Sequence, residues 1–186
     1  MTAEADRDET VRGFALHAVD EIARLVTAID AEALEAAAAL LCRVPRVHLS
    51  GNGRSGLMAK AIAMRLMHIG LQSFVVGEIA APGIQKDDLL TIVSASGRGT
   101  LLEQARTARD FGARVLAITA DPDNPLAQEA QARIIVPART EVATRQHAGS
   151  LFEQGVLITG DALCHSVQAR LKVPTSELNR RHANLL

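Results

Sequence analysis

Between residues 46 and 171, five short apolar runs take turns with stretches of helical periodicity, and this rhythm limits the fold more than any other feature of the chain. The runs are RVHLS (46–50), QSFVVG (72–77), DLLTIVSA (88–95), RVLAITA (114–120) and ARIIVPA (132–138). Ile92-Val93 and Ile134-Ile135-Val136 are continuously apolar, as strands buried on both faces must be. Strands of that kind, alternating with helices, make a parallel sheet covered on both sides. Helices are expected from the loop after Ser50 to about Ile69, from SGRGT to Gly112, briefly after Asn124-Pro125, and from about Ser150 to Leu171. A last short helix is expected after Pro174.

Ahead of the first strand, residues from about 8 to 43 read as an Ala-rich helical arm. Val11, Phe14, Ala15, Val19, Ile22 and Leu25 form a 3.6-residue stripe, and Asp30 suits the cap of a second helix. Apolar residues on more than one face of the arm point to a homo-oligomer interface. One domain is expected over 1–186, with the arm at 1–44, the core at 45–171 and a C-terminal segment at 172–186. Aromatics are 2% of the chain, with no Trp or Tyr, so stacking platforms for single-stranded nucleic acid are missing. A net charge of −1 leaves no basic footprint for DNA or a membrane surface. ALEAAAALLC is too short to span a bilayer and carries Glu35. Cys42 and Cys164 lie far apart in apolar surroundings and read as free thiols. With an acidic, polar N-terminus, the cytoplasm is the expected compartment.

Functional signals concentrate in two loops. HLSGNGRSG places Gly51, Gly53 and Gly56 straight after the first strand, where a helix begins. A Walker loop is excluded because no Gly-Lys-Ser/Thr follows. A dinucleotide site is the second reading, with Glu78 as a ribose-binding acid, although Glu78 falls past Gly77 rather than at the strand tip. The third is a sugar-phosphate site, in which Gly51, Asn52, Gly53, Arg54 and Ser55 present amides, a guanidinium and a hydroxyl. SASGRGT adds Ser94, Ser96, Gly97, Arg98 and Thr100 at the start of another helix. In the sheet order 2-1-3-4-5, strands one and three are neighbours, so both loops face the switch point where ligands bind. Two such loops favour the anion site over a pair of capping turns.

These loops, with AMRLMHIGLQSFVVGE (63–78), AGSLFEQ (148–154) and RRHANLL (180–186), resemble the sugar isomerase (SIS) domain family. The resemblance implies a flavodoxin-like three-layer sandwich, a homotetramer, and a sugar phosphate as the small-molecule partner. The implied reaction interconverts D-arabino-3-hexulose 6-phosphate and fructose 6-phosphate in the ribulose monophosphate pathway, with no metal or redox cofactor. Ser94, Ser96 and Thr100 then match the phosphate loop, and Arg54 the arginine of the first glycine loop. Glu153 matches the proton-transferring base, and His182 a histidine that reaches a neighbouring subunit's site. Arg98, Gly99, Asn52 and EIAAPG (78–83) depart from the family pattern at the pocket rim, which bears on substrate choice.

Taken without the resemblance, Glu153 is an acid in a helix's first turn that suits the macrodipole, and His182 is a surface residue. His48 and His68 read as packing residues, His165 as structural or interfacial, and Glu78 and Arg139 as solvated loop charges. His147 is placed either to line the pocket or to face solvent. A sugar-phosphate sensor without catalysis is the alternative function.

Overall fold

The computed structural model describes residues 10–185. In chain order these form α1 (Val11–Thr27), α2 (Ala31–Leu41), β1 (Val47–Gly51), α3 (Gly53–Ile69), β2 (Ser73–Val75), β3 (Leu89–Val93), α4 (Thr100–Asp110), β4 (Arg114–Thr119), α5 (Pro125–Glu129), β5 (Ala132–Ile135), α6 (Ser150–Leu171) and α7 (Thr175–Arg180). The expected start of the arm near residue 8 lies outside the described residues.

Local chemistry sets several helix starts. Thr10 Oγ1 accepts the Gly13 amide at 2.9 Å, and Asp30 accepts the Glu32 amide at 2.8 Å. Asn124 accepts from the Ala127 amide at 2.9 Å with Pro125 at the first helical position, as its sequence predicts.

The five strands are all parallel, in the order β2-β1-β3-β4-β5. Because side chains alternate along a strand, the sheet divides its apolar residues between two cores. Leu49, Leu89, Val93, Leu116, Ile118 and Ile134 enter the larger core beneath α1, α2, α3 and α6. Leu90, Ile92, Val115 and Ala117 face the smaller one, closed by Leu101, Ala105 and Ala108 of α4 and Leu126 of α5. The result is the expected three-layer sandwich. Burying one Leu or Ile fully is worth about 1.5–3 kcal/mol, so the larger core dominates the stability of the fold.

Two expectations need correction. The strands are shorter than the apolar runs, most of all β2, which has three residues. β2 is an edge strand with β1 as its one neighbour in the sheet, so few of its residues find ladder partners. Only the C-terminal end of the stripe on α1 is buried, Leu25 fully and Ile22 in part. Val11, Phe14 and Val19 are exposed, while Ala18, Glu21 and Leu25 turn inward. A carboxylate on the buried side explains why the apolar pattern misled: Glu21 enters the core side because polar partners await it there.

Candidate active site

Gly51 ends β1 beside Val93, which ends β3. At this edge the backbones approach closely. A Cβ on Gly56 would stand 2.5 Å from the Gly51 carbonyl oxygen, and one on Gly51 would stand 3.0 Å from that of Val93. Small residues at both positions let α3 begin directly over the strand ends. Asn52, Gly53 and Arg54 are exposed there and Ser55 is half-buried.

The loop from Ser94 to Gly99 leaves the neighbouring strand at the same edge. Ser94 is buried, and its Oγ accepts the Gly97 amide at 3.1 Å, so this hydroxyl braces the loop. Ser96, Arg98 and Thr100 are exposed. Gly97 has φ 61° and lies against Asn124, whose amide group is bonded to Thr119 Oγ1. Thr119 Oγ1 donates to the Ala95 carbonyl at 3.2 Å, and the Leu126 amide donates to that of Gly97 at 3.2 Å. The loop is therefore fixed from below by β4 and α5.

Helix starts around this edge share a feature that sequence reading did not isolate. α3, α4 and α6 begin at Asn52, Gly99 and Gly149, and none of the three caps makes a side-chain hydrogen bond. Uncapped first-turn amides, at the positive end of each helix dipole, favour an anion.

Glu153 sits in the first turn of α6, 9% exposed. The Arg54 Nε donates to its Oε2, linking the first glycine loop to α6. Its other oxygen rests against Gly149, where an added Cβ would stand 3.1 Å away. A small cavity of about 230 Å³ between Ala95, Arg139, Gly149 and Phe152 adjoins this helix start.

His182 lies elsewhere. Its ring stacks on His68 with centroids 5.0 Å apart, at the far end of α3. His68 follows Arg54 by fourteen positions on this helix, about 21 Å along the axis at roughly 1.5 Å per residue. Within one chain the structure thus gathers residues 51–55, 94–100 and Glu153, and leaves His182 apart.

A cleft of about 440 Å³ lies on the opposite sheet face, between His48, Leu90, the 76–84 segment and α4. The β2–β3 connection beside it contains no helix or strand. Thr100 on its rim is the one residue it shares with the phosphate-loop candidates.

A buried polar feature near this cleft escaped sequence reading. Asp88 is fully buried and binds Arg46 through two hydrogen bonds of 2.9 and 2.7 Å, with the Gln85 amide at 2.8 Å. Burial pushes its carboxyl up, but these bonds and the Arg46 charge outweigh burial and hold it below its ordinary value. His48, the expected packing residue, is buried with its Nε2 3.5 Å from Asp88. Burial in turn lowers this imidazole. Arg139 is exposed but not simply solvated: its guanidinium donates to the carbonyls of Gln146 (2.6 Å) and Ala148 (2.8 Å). Glu78 stands 3.7 Å from Lys60 on the surface. His147 is exposed beside the site and His165 is exposed on α6, while His68 is buried as a packing residue. Both cysteines are free, and burial pushes the Cys164 thiol up to about 12. Among the described residues, no helix is long and apolar enough to cross a membrane.

Comparison with known proteins identifies the family. Residues 40–157 match the SIS domain model. The chain is 40% identical over 172 residues to a 3-hexulose-6-phosphate isomerase from Mycobacterium gastri, covering 89% of this chain and 86% of that protein. A 3-hexulose-6-phosphate isomerase from Methanocaldococcus jannaschii is 33% identical, covering 78% and 80%. A crystal structure of a Methanococcus jannaschii protein, described as inferring that same function, superposes with a TM-score of 0.81 at 30% identity, covering 93% of this chain and 99% of that one. With the family's sheet order, its two loops and its sequence across most of the chain, the protein belongs to the SIS domain family.

Proposed function

We propose that this protein interconverts 3-hexulose 6-phosphate and fructose 6-phosphate through a 2,3-enediol. The observation that carries the reading is Glu153, a nearly buried carboxylate at the same edge as two amide-rich loops, in a chain 40% identical to a 3-hexulose-6-phosphate isomerase. The phosphate dianion docks at Ser96, Arg98, Thr100 and the first turn of α4, with Ser94 shaping that loop. Residues 51–55 bind the adjoining part of the substrate. Glu153 removes the proton from C2 as the C3 carbonyl oxygen gains one, which forms the enediol. The C2 hydroxyl then loses its proton to become the carbonyl, and Glu153 returns a proton to C3. Atoms and electrons balance, and the step rests on general acid–base catalysis. Arg54 orients the carboxylate and gives it up in part when the substrate's hydroxyls arrive.

His182 of a second copy serves the oxygens of the enediol, since about 21 Å of helix keep the chain's own His182 from Glu153. The assembly is a homotetramer, and the enzyme works in the cytoplasm in the ribulose monophosphate pathway, where its free thiols stay reduced.

The test is formation of fructose 6-phosphate from enzymatically generated 3-hexulose 6-phosphate, comparing the wild type with Glu153→Gln. Turnover is expected to fall by at least about a hundredfold, as loss of a general base does, with sugar-phosphate binding retained. A folded wild type that binds sugar phosphates without turnover would instead identify a sensor.

A further inference from the structure

The 139–149 segment leads directly into Glu153, and an unusual clasp holds it. Glu21 of α1 is 1% exposed and accepts three hydrogen bonds from this segment. Thr144 Oγ1 donates at 2.6 Å, the Arg145 amide at 2.8 Å and the Gln146 side chain at 2.9 Å. His17, one turn earlier on α1, lies 3.1 Å away on the same carboxylate. Each bond crosses more than 120 residues of sequence.

The contacts continue toward the site. Gln146 and Ala148 offer their carbonyls to the Arg139 guanidinium, and Thr140 Oγ1 ties the segment's start to the Ala120 carbonyl at 2.9 Å. Ala148 has φ 49°, a left-handed conformation that a residue with a Cβ keeps only when its surroundings fix it. Gly149 follows. Its carbonyl accepts the Glu153 amide at 3.0 Å, and a Cβ added to it would stand 3.1 Å from the Glu153 carboxylate.

We propose that Glu21 is a positioning residue for Glu153: the N-terminal arm, through its buried carboxylate, fixes the backbone on which the base rests. The proposal depends on the isomerase reading for its catalytic consequence. It also gives the arm a role inside its own chain. Burial pushes the Glu21 carboxyl up, but Thr144, Gln146, the Arg145 amide and His17 outweigh burial and keep it below its ordinary value. The charged form that accepts all three bonds is therefore the resting one.

Glu21→Ala removes the acceptor that Thr144 Oγ1, the Arg145 amide and the Gln146 side chain share in the clasp. The phosphate loop is anchored separately by β4 and α5. A misplaced base should thus lower kcat at least tenfold and leave KM within about threefold, since a displacement near 1 Å costs on the order of a hundredfold. Glu21→Gln keeps one acceptor and should recover part of kcat. Leu41→Ala on α2, a fully buried truncation away from the clasp, serves as the control for stability alone. Kinetics are taken well below each variant's Tm, with amide exchange read over residues 144–153.

The result expected is a loss of kcat in Glu21→Ala, with faster exchange at 144–153, neither of which Leu41→Ala reproduces. A Glu21→Ala enzyme that loses Tm but keeps kcat within twofold would overturn the proposal. If the wild type shows no turnover, the isomerase reading fails by itself. The exchange comparison then decides whether the clasp holds the segment, and unchanged protection there would reject it.

Discussion

At the residue scale, the site depends on a few positions where the backbone leaves no room for substitution. Gly97 has a positive φ of 61°, and a Cβ there would collide with Asn124 Oδ1. Asn124 has no free direction in which to yield, because it caps α5 and binds Thr119 at once. Gly97→Ala should therefore cost roughly 1–3 kcal/mol in strain and weaken sugar-phosphate binding more than it lowers Tm in proportion. Calorimetry of phosphate-ester binding beside a thermal melt would check this, and a variant with unchanged affinity would contradict it. Gly51 and Gly97 were legible in the sequence because a glycine-rich turn after a strand leaves a local signature, whereas Glu153 stood out from an ordinary helix-start acid only through the family resemblance. Glu21 and Asp88 were not. Each is a carboxylate whose partners come from distant segments, and no local pattern separates it from a solvated charge.

At the scale of elements, α3 is both a bridge and a spacer. Its first turn holds Arg54 against Glu153, while its last carries His68 against His182. The Arg181 guanidinium adds two 3.1 Å bonds to the carbonyls of His68 and Ile69, docking the segment after α7 on the end of α3. Burial lowers the His68 imidazole, followed by the nearby His182 and Arg65. The unfolded chain thus takes up this proton first as pH falls through about 6.5. Stability contributed by neutral His68 is complete above that pH and is lost as the pH drops toward the folded value. Proton NMR should place the His68 midpoint below 6.5, and His68→Gln should flatten the fall of Tm between about pH 7.5 and 5. A midpoint at or above 6.5 would refute this. Helix starts followed from caps at α2 and α5, and α6, expected from about Ser150 to Leu171, is found there. Strand lengths did not follow, because an apolar run shows that residues are buried and not how many find ladder partners.

For the whole molecule, the arm and the outer helices leave an apolar surface that one chain does not cover. Val11, Phe14, Leu16 and Val19 on α1, Leu57 and Met64 on α3, and Ile158 on α6 are all exposed. Exposed apolar side chains in this number are what an association face would present, and the proposed role of His182 requires a second copy. Sedimentation should show an oligomer in the micromolar range, and Phe14→Glu with Val19→Glu should dissociate it with activity falling in parallel. A fully active monomer would contradict both the interface and the shared site. The sequence by itself determined the layered α/β architecture and the two glycine-rich loops, because periodicity, caps and glycine turns act over a few residues and are written locally, while the strand order came from the family resemblance. Only the tertiary structure decided which face of α1 is buried, that Glu21 holds the 139–149 segment, and that His182 stands apart from Glu153 within one chain. Those outcomes depend on which distant groups meet in space, and a buried charge takes its place from its partners rather than from its neighbours in sequence.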